Sequence, residues 1–213
     1  MTRLILIRHG QSEANLTRRF AGHYNAPLTE LGRNQAGKSA EYVASHYEVS
    51  KVYASDLARA FATGQAVADR LGLEIIPDVR LREICAGKWE GMEIARIAEE
   101  YADDYKVWMS DIGHSTPTDG EKVSDLAERV FGAVREIAEQ NEGQTVVLAT
   151  HATPIRATEC TVKHGNLDPM KDIPWVTNAS ISELIYENGH FEFKMISYDE
   201  HLAGLQTGMP ANV

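Results

Sequence analysis

The sequence predicts an α/β fold: a three-layer α/β/α sandwich whose central sheet is mostly parallel and is made mixed by a C-terminal hairpin. Short aliphatic runs alternate with amphipathic stretches along the 213 residues, a pattern typical of β-α-β units. Near the C-terminus, two strand-like segments flank Asn188-Gly189, a favoured pair for a two-residue hairpin turn. We find no linker, repeat or low-complexity tract and expect one domain over residues 1–213.

The first strand is the aliphatic run Leu4–Ile7, which is typical of a strand buried on both faces. Arg8 and His9 follow at its carboxyl end, and Gly10 is expected to turn the chain with a positive φ. Ligands of open parallel sheets bind in the crevice beyond these strand ends. A cation and an imidazole at that place suit an anionic ligand. Residues 10–28 are predicted to be a functional loop.

The other elements are predicted from caps and apolar periodicity. Thr29 and Glu30 indicate a helix start, because a threonine oxygen caps free N–H groups and a carboxylate suits the helix dipole. Ser55-Asp56 is interpreted in the same way. Residues 93–121 are interpreted as an irregular, cap-like insertion with one helix near 93–106. The predicted helices cover 30 to about 47, 57–71, 121–140 and about 154–162, and the predicted strands 49–54, 73–76, 144–150, 181–186 and 191–196.

Composition excludes several classes of protein. The formal net charge of −10 argues against general binding of nucleic acid or anionic membranes, which favours a basic surface. No run approaches the roughly 18 apolar residues of a membrane span, and no signal peptide is recognised, so we expect a cytoplasmic protein. Cys85 and Cys160 form no C-x-x-C pair, which disfavours a disulfide framework or a zinc site. Monomer and homodimer both remain open.

One motif match is misleading. Residues 32–39 fit the P-loop expression G-x-x-x-x-G-K-[ST], but a phosphate loop must follow a buried strand and open a helix. Here the preceding residues 27–31 already start a helix, so the match falls inside it. We interpret it as a solvated helical face with two glycines at a packing contact. A nucleotide-binding protein would instead show magnesium-dependent ATP binding that Lys38→Ala removes and His9→Ala does not.

Arg8-His9-Gly10 is a weak motif by itself, because three residues recur by chance. Further segments accompany it in a fixed order: Ser12 and Asn15, Pro27-Leu28-Thr29 with Leu31-Gly32, Ser55 and Arg59, Leu81 and Glu83, Gly87-x-Trp89-Glu90-Gly91, and Thr150-His151. With this order and spacing, the chain resembles the histidine phosphatase superfamily, in its phosphoglycerate mutase-like branch. The resemblance covers nearly the whole chain, and the motifs are highly specific as a set.

The resemblance implies a covalent phosphohistidine mechanism without a metal or organic cofactor, acting on a small phosphorylated molecule. It implies that His9 is the nucleophile, that Glu83 is the general acid and base, and that Asn15 lines the phosphate pocket. Arg8, Arg59 and His151 match the residues that hold the phosphoryl oxygens. Further candidates for substrate contact are Ser12, Gly22, His23 and Ala152.

Phosphoryl transfer by itself calls for these residue types. Positive charge must surround the equatorial oxygens, and the guanidinium forks of Arg8 and Arg59 match phosphate geometry. His9 must attack through a neutral ring nitrogen, and nearby guanidinium groups should lower its pKa toward that form. A protonated His151 would stabilise charge in the transition state. Glu83 would protonate the leaving alkoxide and then deprotonate the attacking water.

The sequence departs from the family pattern at two places. Ala152 stands where a glycine is common after the second histidine, and Cys85-Ala86 replaces more usual polar or aromatic residues. Neither change removes a charge from the predicted pocket. Trp89 and Trp108 are expected to pack in the core, although either could line the pocket mouth.

Three functions remain open: a phosphomonoesterase, a phosphoglycerate mutase-type phosphoryl transferase, and a catalytically silent phosphate-binding module. Mutases of this family are longer, carry extra basic residues for a second anionic group, and usually have tryptophan where this chain has Ala14. The short form with Trp89-Glu90-Gly91 is more similar to the broad-specificity and ribazole-phosphate phosphatase branches, which favours the phosphomonoesterase. We expect specificity to lie in residues 21–25 and 93–121.

Overall fold

The computed structural model describes residues 1–208, and the last five positions of the predicted domain, 209–213, lie outside the described residues. Six strands form one sheet: β1 (Thr2–Arg8), β2 (Val49–Ala54), β3 (Ile75–Pro77), β4 (Thr145–Thr150), β5 (Ile181–Glu187) and β6 (His190–Tyr198). Their spatial order is β3-β2-β4-β1-β5-β6. The first four in that order are parallel, whereas β5 runs antiparallel to β1 and pairs with β6 as a hairpin.

Helices cover both faces of this sheet: α1 (Glu13–Leu16), α2 (Glu30–His46), α3 (Ala58–Leu71), α4 (Ile94–Glu100), α5 (Ala102–Ser110), α6 (Val123–Gln140) and α7 (Ala152–His164). Because side chains alternate along a strand, β1 contributes to two cores. Ile5 packs with Val43 of α2 on one face, and Leu6 packs with Leu126 of α6 and Ile155 of α7 on the other. The predicted three-layer fold class is therefore confirmed. No helix within residues 1–208 is long and apolar enough to cross a membrane.

Gly10 was expected to turn the chain with a positive φ, and that prediction is wrong. Gly10 does not have a positive φ. A Cβ there would instead overlap the carbonyl oxygen of Gly32, and a Cβ on Gly32 would overlap the carbonyl oxygen of Gln11. The two glycines therefore allow the end of β1 to approach the first turn of α2 closely.

The P-loop match at residues 32–39 lies within α2, as expected, and its first glycine is the Gly32 that packs against the end of β1. Gly32 is buried at the packing contact, whereas a Cβ added to Gly37 would meet nothing within 4 Å, so only one of the two glycines packs as predicted. Lys38 forms a surface ion pair with Glu41, 3.1 Å away. Residues 32–39 therefore form an ordinary helical segment.

Two cap predictions have different outcomes. The hydroxyl of Thr29 accepts from the Gly32 N–H at 3.0 Å, so the predicted cap of α2 is confirmed. The helix after β2 has Leu57 as its N-cap, without a side-chain cap. Ser55 is not the cap because α3 begins only at Ala58; its hydroxyl accepts from the Leu57 N–H at 3.3 Å and also lies 2.8 Å from the Nε2 of His151.

Several element boundaries also differ from prediction. β3 begins at Ile75 because its register with Val52 of β2 sets the pairing, and Pro77 is tolerated since β3 is an edge strand. The short helix α1 was missed in the loop. The 93–121 segment holds two helices, α4 and α5, which meet at Tyr101. α7 begins at Ala152, two residues before the predicted start.

Candidate active site

The carboxyl ends of β1 and β4 bring the two histidine motifs of the sequence to the same place. Arg8 pairs with Thr150 in the parallel register, so the next residues, His9 and His151, follow side by side. Their ring centroids lie 5.2 Å apart. This register is the geometric basis of the site.

Two further charged side chains reach the same place from other elements. Arg59 projects from the first turn of α3, and Glu83 lies in the loop after β3. Both line one cleft together with Arg8 and His9. All four side chains are buried, so the charges face one another with little solvent between them.

The hydrogen bonds of His9 define which ring nitrogen is available. Nδ1 lies 2.7 Å from the carbonyl oxygen of Gly10. Because a carbonyl only accepts, Nδ1 carries the proton. Nε2 therefore keeps its lone pair, and the Nε of Arg59 donates to it at 3.2 Å. An electrophile entering the cleft meets an unprotonated nitrogen.

Electrostatics keep this ring neutral. Burial, followed by the charges of Arg59 and Arg8, lowers the pKa of His9 well below its usual value. The direction agrees with the expectation from sequence, although burial contributes more than the guanidinium groups. Burial also lowers the pKa of Arg8 and of Arg59 to about 10, so both remain cationic at neutral pH.

His151 is fully buried beside His9 and does not itself line the cleft. Its Nε2 lies 2.8 Å from the Ser55 hydroxyl, and within residues 1–208 its Nδ1 has no hydrogen-bond partner. Burial and the charge of Arg59 lower the pKa of His151 well below its usual value. The ring is therefore neutral.

Backbone carbonyls orient both arginines. Arg59 donates from Nη2 to the carbonyl of Gly22 at 2.8 Å and from Nη1 to that of Tyr24 at 3.1 Å. Arg8 donates from Nη1 to the carbonyl of Val176 at 2.5 Å. These carbonyls thus help to fix the orientation of both guanidinium groups.

Glu83 is held at both its backbone and its side chain. Its carboxylate accepts from the N–H of Ile84 at 2.9 Å and from that of Thr153 at 3.4 Å. Its carbonyl accepts from His23 Nε2 and from Arg129 Nη2, each at 2.9 Å. Glu83 is therefore a fixed carboxyl group in a cleft that also holds Arg8 and Arg59.

Asn15 lines the cleft and is oriented by three donors to its Oδ1. These donors are the Ser12 N–H at 3.1 Å, the Ser12 hydroxyl at 3.0 Å and the Asn178 Nδ2 at 3.2 Å. The same Asn178 amide donates to the carbonyl of His9 at 3.1 Å. With its oxygen engaged, Asn15 presents its amide N–H groups to the cleft.

The remaining predicted substrate contacts separate into two groups. Gly22 and Ala152 line the cleft. Ser12 is buried as the cap of α1, and His23 is bonded to the Glu83 backbone, so neither lines it.

Ala21, in the loop expected to carry specificity, lies on the cleft wall, whereas sequence reasoning did not single out four further wall residues: Arg19, Phe20, Thr153 and Trp175. Trp89 packs in the core as expected, whereas Trp108 is nearly buried and also reaches the cleft. Trp175 is supported from behind by the Arg156 guanidinium, 3.8 Å from its ring centre. Nothing in the local sequence around Trp175 signals this position.

Within residues 1–208, no group of three or more His, Cys, Asp or Glu side chains is arranged to hold a metal ion. The charged and amide side chains on the cleft wall, apart from Glu83, are instead cations or potential hydrogen-bond donors: Arg8, Arg19, Arg59 and Asn15. Such a set suits an oxyanion.

The two buried imidazoles predict an acid-dependent loss of stability. Above about pH 6.5 each ring is neutral in both the folded and unfolded states, so stability does not change. Below this pH, His9 and His151 become protonated in the unfolded chain but stay neutral in the folded protein, because folding lowers their pKa values. We expect each ring to reduce the free energy of unfolding by about 1.4 kcal/mol per pH unit from pH 6.5 down to its folded pKa.

Denaturant unfolding at pH 7.5, 6.0 and 5.0 measures this slope. The matched variant His9→Gln/His151→Gln lacks both rings and retains every other titrating group, so its curve should be shallower. Parallel pH curves for the two proteins would contradict the prediction.

Fold and site together define a class of protein: an α/β sandwich with two arginines and an unprotonated imidazole nitrogen in a cleft at the carboxyl end of its sheet. The chain belongs to the histidine phosphatase superfamily, since the family model of its branch 1 matches residues 4–199.

Individual proteins that are similar to this chain are consistent with membership of this family. Phosphoserine phosphatase 1 of Hydrogenobacter thermophilus is 33% identical over 160 residues, which are 75% of each chain. A bifunctional protein of Mycobacterium tuberculosis is 37% identical over 155 residues; these are 73% of this chain but only 42% of that longer protein. A mycobacterial glucosyl-3-phosphoglycerate phosphatase, solved in complex with VO3, superposes with a TM-score of 0.86 at 28% identity, covering 92% of this chain and 99% of that one.

Proposed function

We propose that this protein is a phosphomonoesterase that hydrolyses a small-molecule phosphate ester through a covalent phosphohistidine on His9, without a metal or organic cofactor. The observation that carries the proposal is the orientation of the His9 ring. Its Nε2 lone pair is fixed by the Nδ1 bond to Gly10 and lies 3.2 Å from the Arg59 guanidinium. Two of the compared proteins are themselves named as phosphatases.

In the first step, the Nε2 lone pair attacks phosphorus and the ester P–O bond breaks. Arg8 and Arg59 stabilise the equatorial oxygens, and the family resemblance assigns His151 the same role. For this, His151 would donate from a protonated Nδ1 while its Nε2 accepts from the Ser55 hydroxyl. Glu83 in its protonated form gives its proton to the departing alkoxide. The positive charge on the phosphorylated ring is stabilised by the Gly10 carbonyl at Nδ1.

In the second step, the Glu83 carboxylate takes a proton from water, whose oxygen attacks phosphorus. The N–P bond breaks, and inorganic phosphate leaves with His9 restored to the neutral form. Glu83 ends the cycle protonated, ready for the next ester.

The cations of the cleft favour hydrolysis over mutase chemistry. A mutase must hold a second anionic group, but the additional cation on the cleft wall, Arg19, donates to the Gly91 carbonyl and to Glu93, both at 2.8 Å. Lys88 and Arg96, which lie in or near the 93–121 region, do not line the cleft. We propose that residues 93–121 belong to the same domain as the cleft and contribute Trp108 to the cleft wall.

The remaining parts of the proposal concern partners and location. The substrate is a small phosphorylated molecule, and the acidic net charge disfavours nucleic acid and anionic membranes as partners. Cys85 and Cys160 are both free thiols, which suits the reducing cytoplasm we propose for the protein.

A phosphate-release screen tests the proposal. It should include sugar phosphates, phosphoglycerates, nucleotides and phosphoamino acids, each with and without EDTA, with a mutase assay alongside. We expect release of inorganic phosphate from at least one ester at a rate that EDTA does not change. Loss of activity in EDTA would contradict the metal-free mechanism, and labelled phosphate on His9 without turnover would identify a silent binding module.

A further inference from the structure

Glu90 lies in the Gly87–Gly91 turn and is not part of the cleft wall. Its carboxylate accepts three backbone hydrogen bonds from two separate segments. Oε1 accepts from the N–H of His23 at 2.9 Å and from that of Ala86 at 2.6 Å, and Oε2 accepts from the N–H of Tyr24 at 2.5 Å. One side chain therefore joins the 22–24 loop to the segment that follows Glu83.

The same 22–24 loop holds the guanidinium of Arg59. The carbonyls of Gly22 and Tyr24 accept from Arg59, whose Nε in turn donates to the Nε2 of His9. A continuous chain of contacts thus runs from the Glu90 carboxylate, through the loop backbone, to the nucleophilic nitrogen. The charge of Glu90 also attracts Arg59 directly.

The neighbours of Glu90 leave it little freedom. A Cβ on Gly22, which has a φ of +49°, would lie 2.6 Å from the Glu90 Oε1. Trp89 is fully buried in the core, and Gly91 donates its N–H to the carbonyl of Phe20 at 2.9 Å. The turn is therefore fixed on both sides of Glu90, and a glycine at position 22 is needed for the carboxylate to approach.

We propose that Glu90 is a positioning residue: through the 22–24 loop it sets the Arg59 guanidinium against His9 and the bound phosphoryl group. Its part in the reaction rests on the proposed function, but its contacts with the loop do not. Three N–H donors converge on its two oxygens, so both must accept. A glutamine offers one acceptor oxygen, and its amide N–H₂ would face a backbone donor.

Binding of inorganic phosphate, measured by calorimetry at pH 7.5, tests this role without requiring turnover. We expect Glu90→Gln to weaken phosphate binding by about tenfold, the scale of a lost hydrogen bond to a charged group. In the Arg59→Ala background the same change should cost less than about twofold, because the group through which Glu90 acts is gone. Equal losses in both backgrounds would overturn the proposal in favour of a merely structural role.

A second readout distinguishes displacement of Arg59 from a simple change of charge. Removing a nearby anion should lower the pKa of His9 further, whereas movement of the Arg59 guanidinium away from Nε2 should raise it. We therefore expect NMR titration of labelled histidine to show a raised His9 pKa in Glu90→Gln. A lowered or unchanged value would contradict the proposal, whatever the enzyme hydrolyses.

Controls separate folding from positioning. Glu100→Gln removes an exposed carboxylate that pairs with Arg96, and it should leave phosphate binding unchanged. Glu90→Asp keeps both acceptor oxygens on a shorter side chain. It should therefore bind phosphate with an affinity between those of wild type and Glu90→Gln. If Glu90→Gln does not fold, Glu90→Asp takes its place in every measurement. If Glu90→Asp binds phosphate no better than Glu90→Gln, the result would count against the proposal. Absence of ester hydrolysis with an intact Glu90–Arg59 coupling would refute the proposed function alone.

Discussion

Replacing His9 with alanine is expected to remove hydrolysis of a generic aryl phosphate. The substitution deletes the only imidazole nitrogen on the described cleft wall, the Nε2 that receives the Arg59 N–H bond. Loss of a nucleophile that acts together with its neighbours reduces the rate by about 10³- to 10⁶-fold. Steady-state release of phosphate from an aryl ester measures the effect.

The companion measurement is the covalent intermediate itself. Rapid quenching of the wild-type enzyme with labelled substrate should trap acid-labile phosphate on the protein, and His9→Ala should trap none. His190→Ala removes an exposed histidine next to the hairpin turn and should match wild type in both assays. Retained turnover by His9→Ala would refute the covalent route.

Replacing Glu83 with glutamine should have an effect that depends on the leaving group. Glutamine keeps an oxygen that can accept from the Ile84 N–H, but it has no proton to donate as a carboxylic acid does. Esters of alcohols need that proton, and we expect their kcat/KM to fall by about 10²- to 10⁴-fold. A 4-nitrophenyl ester releases 4-nitrophenolate, which is stable as an anion and needs no proton. Its kcat/KM should therefore fall by less than about tenfold.

The comparison uses kcat/KM because this quantity reports the steps up to cleavage of the ester and is insensitive to later hydrolysis of the phosphohistidine. Glu74→Gln removes an exposed carboxylate that is not on the cleft wall, and it serves as the matched control. Equal losses on alkyl and aryl esters would remove Glu83 from the role of general acid.

Much of the fold followed from local patterns. The run Leu4–Ile7 predicted a buried strand, because alternate residues of that run pack on opposite faces of the sheet. Thr29 identified a helix start, because its hydroxyl satisfies a free N–H of the first turn. Asn188-Gly189 identified the hairpin, since Asn188 and Gly189 both adopt positive φ.

Local patterns failed where a distant segment packs against the same residue. Ser55 is a residue type that caps helices, but α3 begins only at Ala58, and the Ser55 hydroxyl contacts both the Leu57 N–H and His151, which follows another strand. Gly10 has the composition of a tight turn, but the helix carrying Gly32 approaches it instead. In each case tertiary packing decided between two uses that the sequence alone allows.

The sequence by itself determined the six strands, the four long helices, the family, and the chemical types that a phosphoryl group requires, because these depend on periodicity and on motifs within short segments. Only the tertiary structure decided that Arg8 pairs with Thr150, that the loop held by Glu90 orients Arg59, and that Trp175 lines the cleft. These facts depend on which remote segments pack together, and packing is set by the shape and burial of the whole core rather than by the residues next to each site.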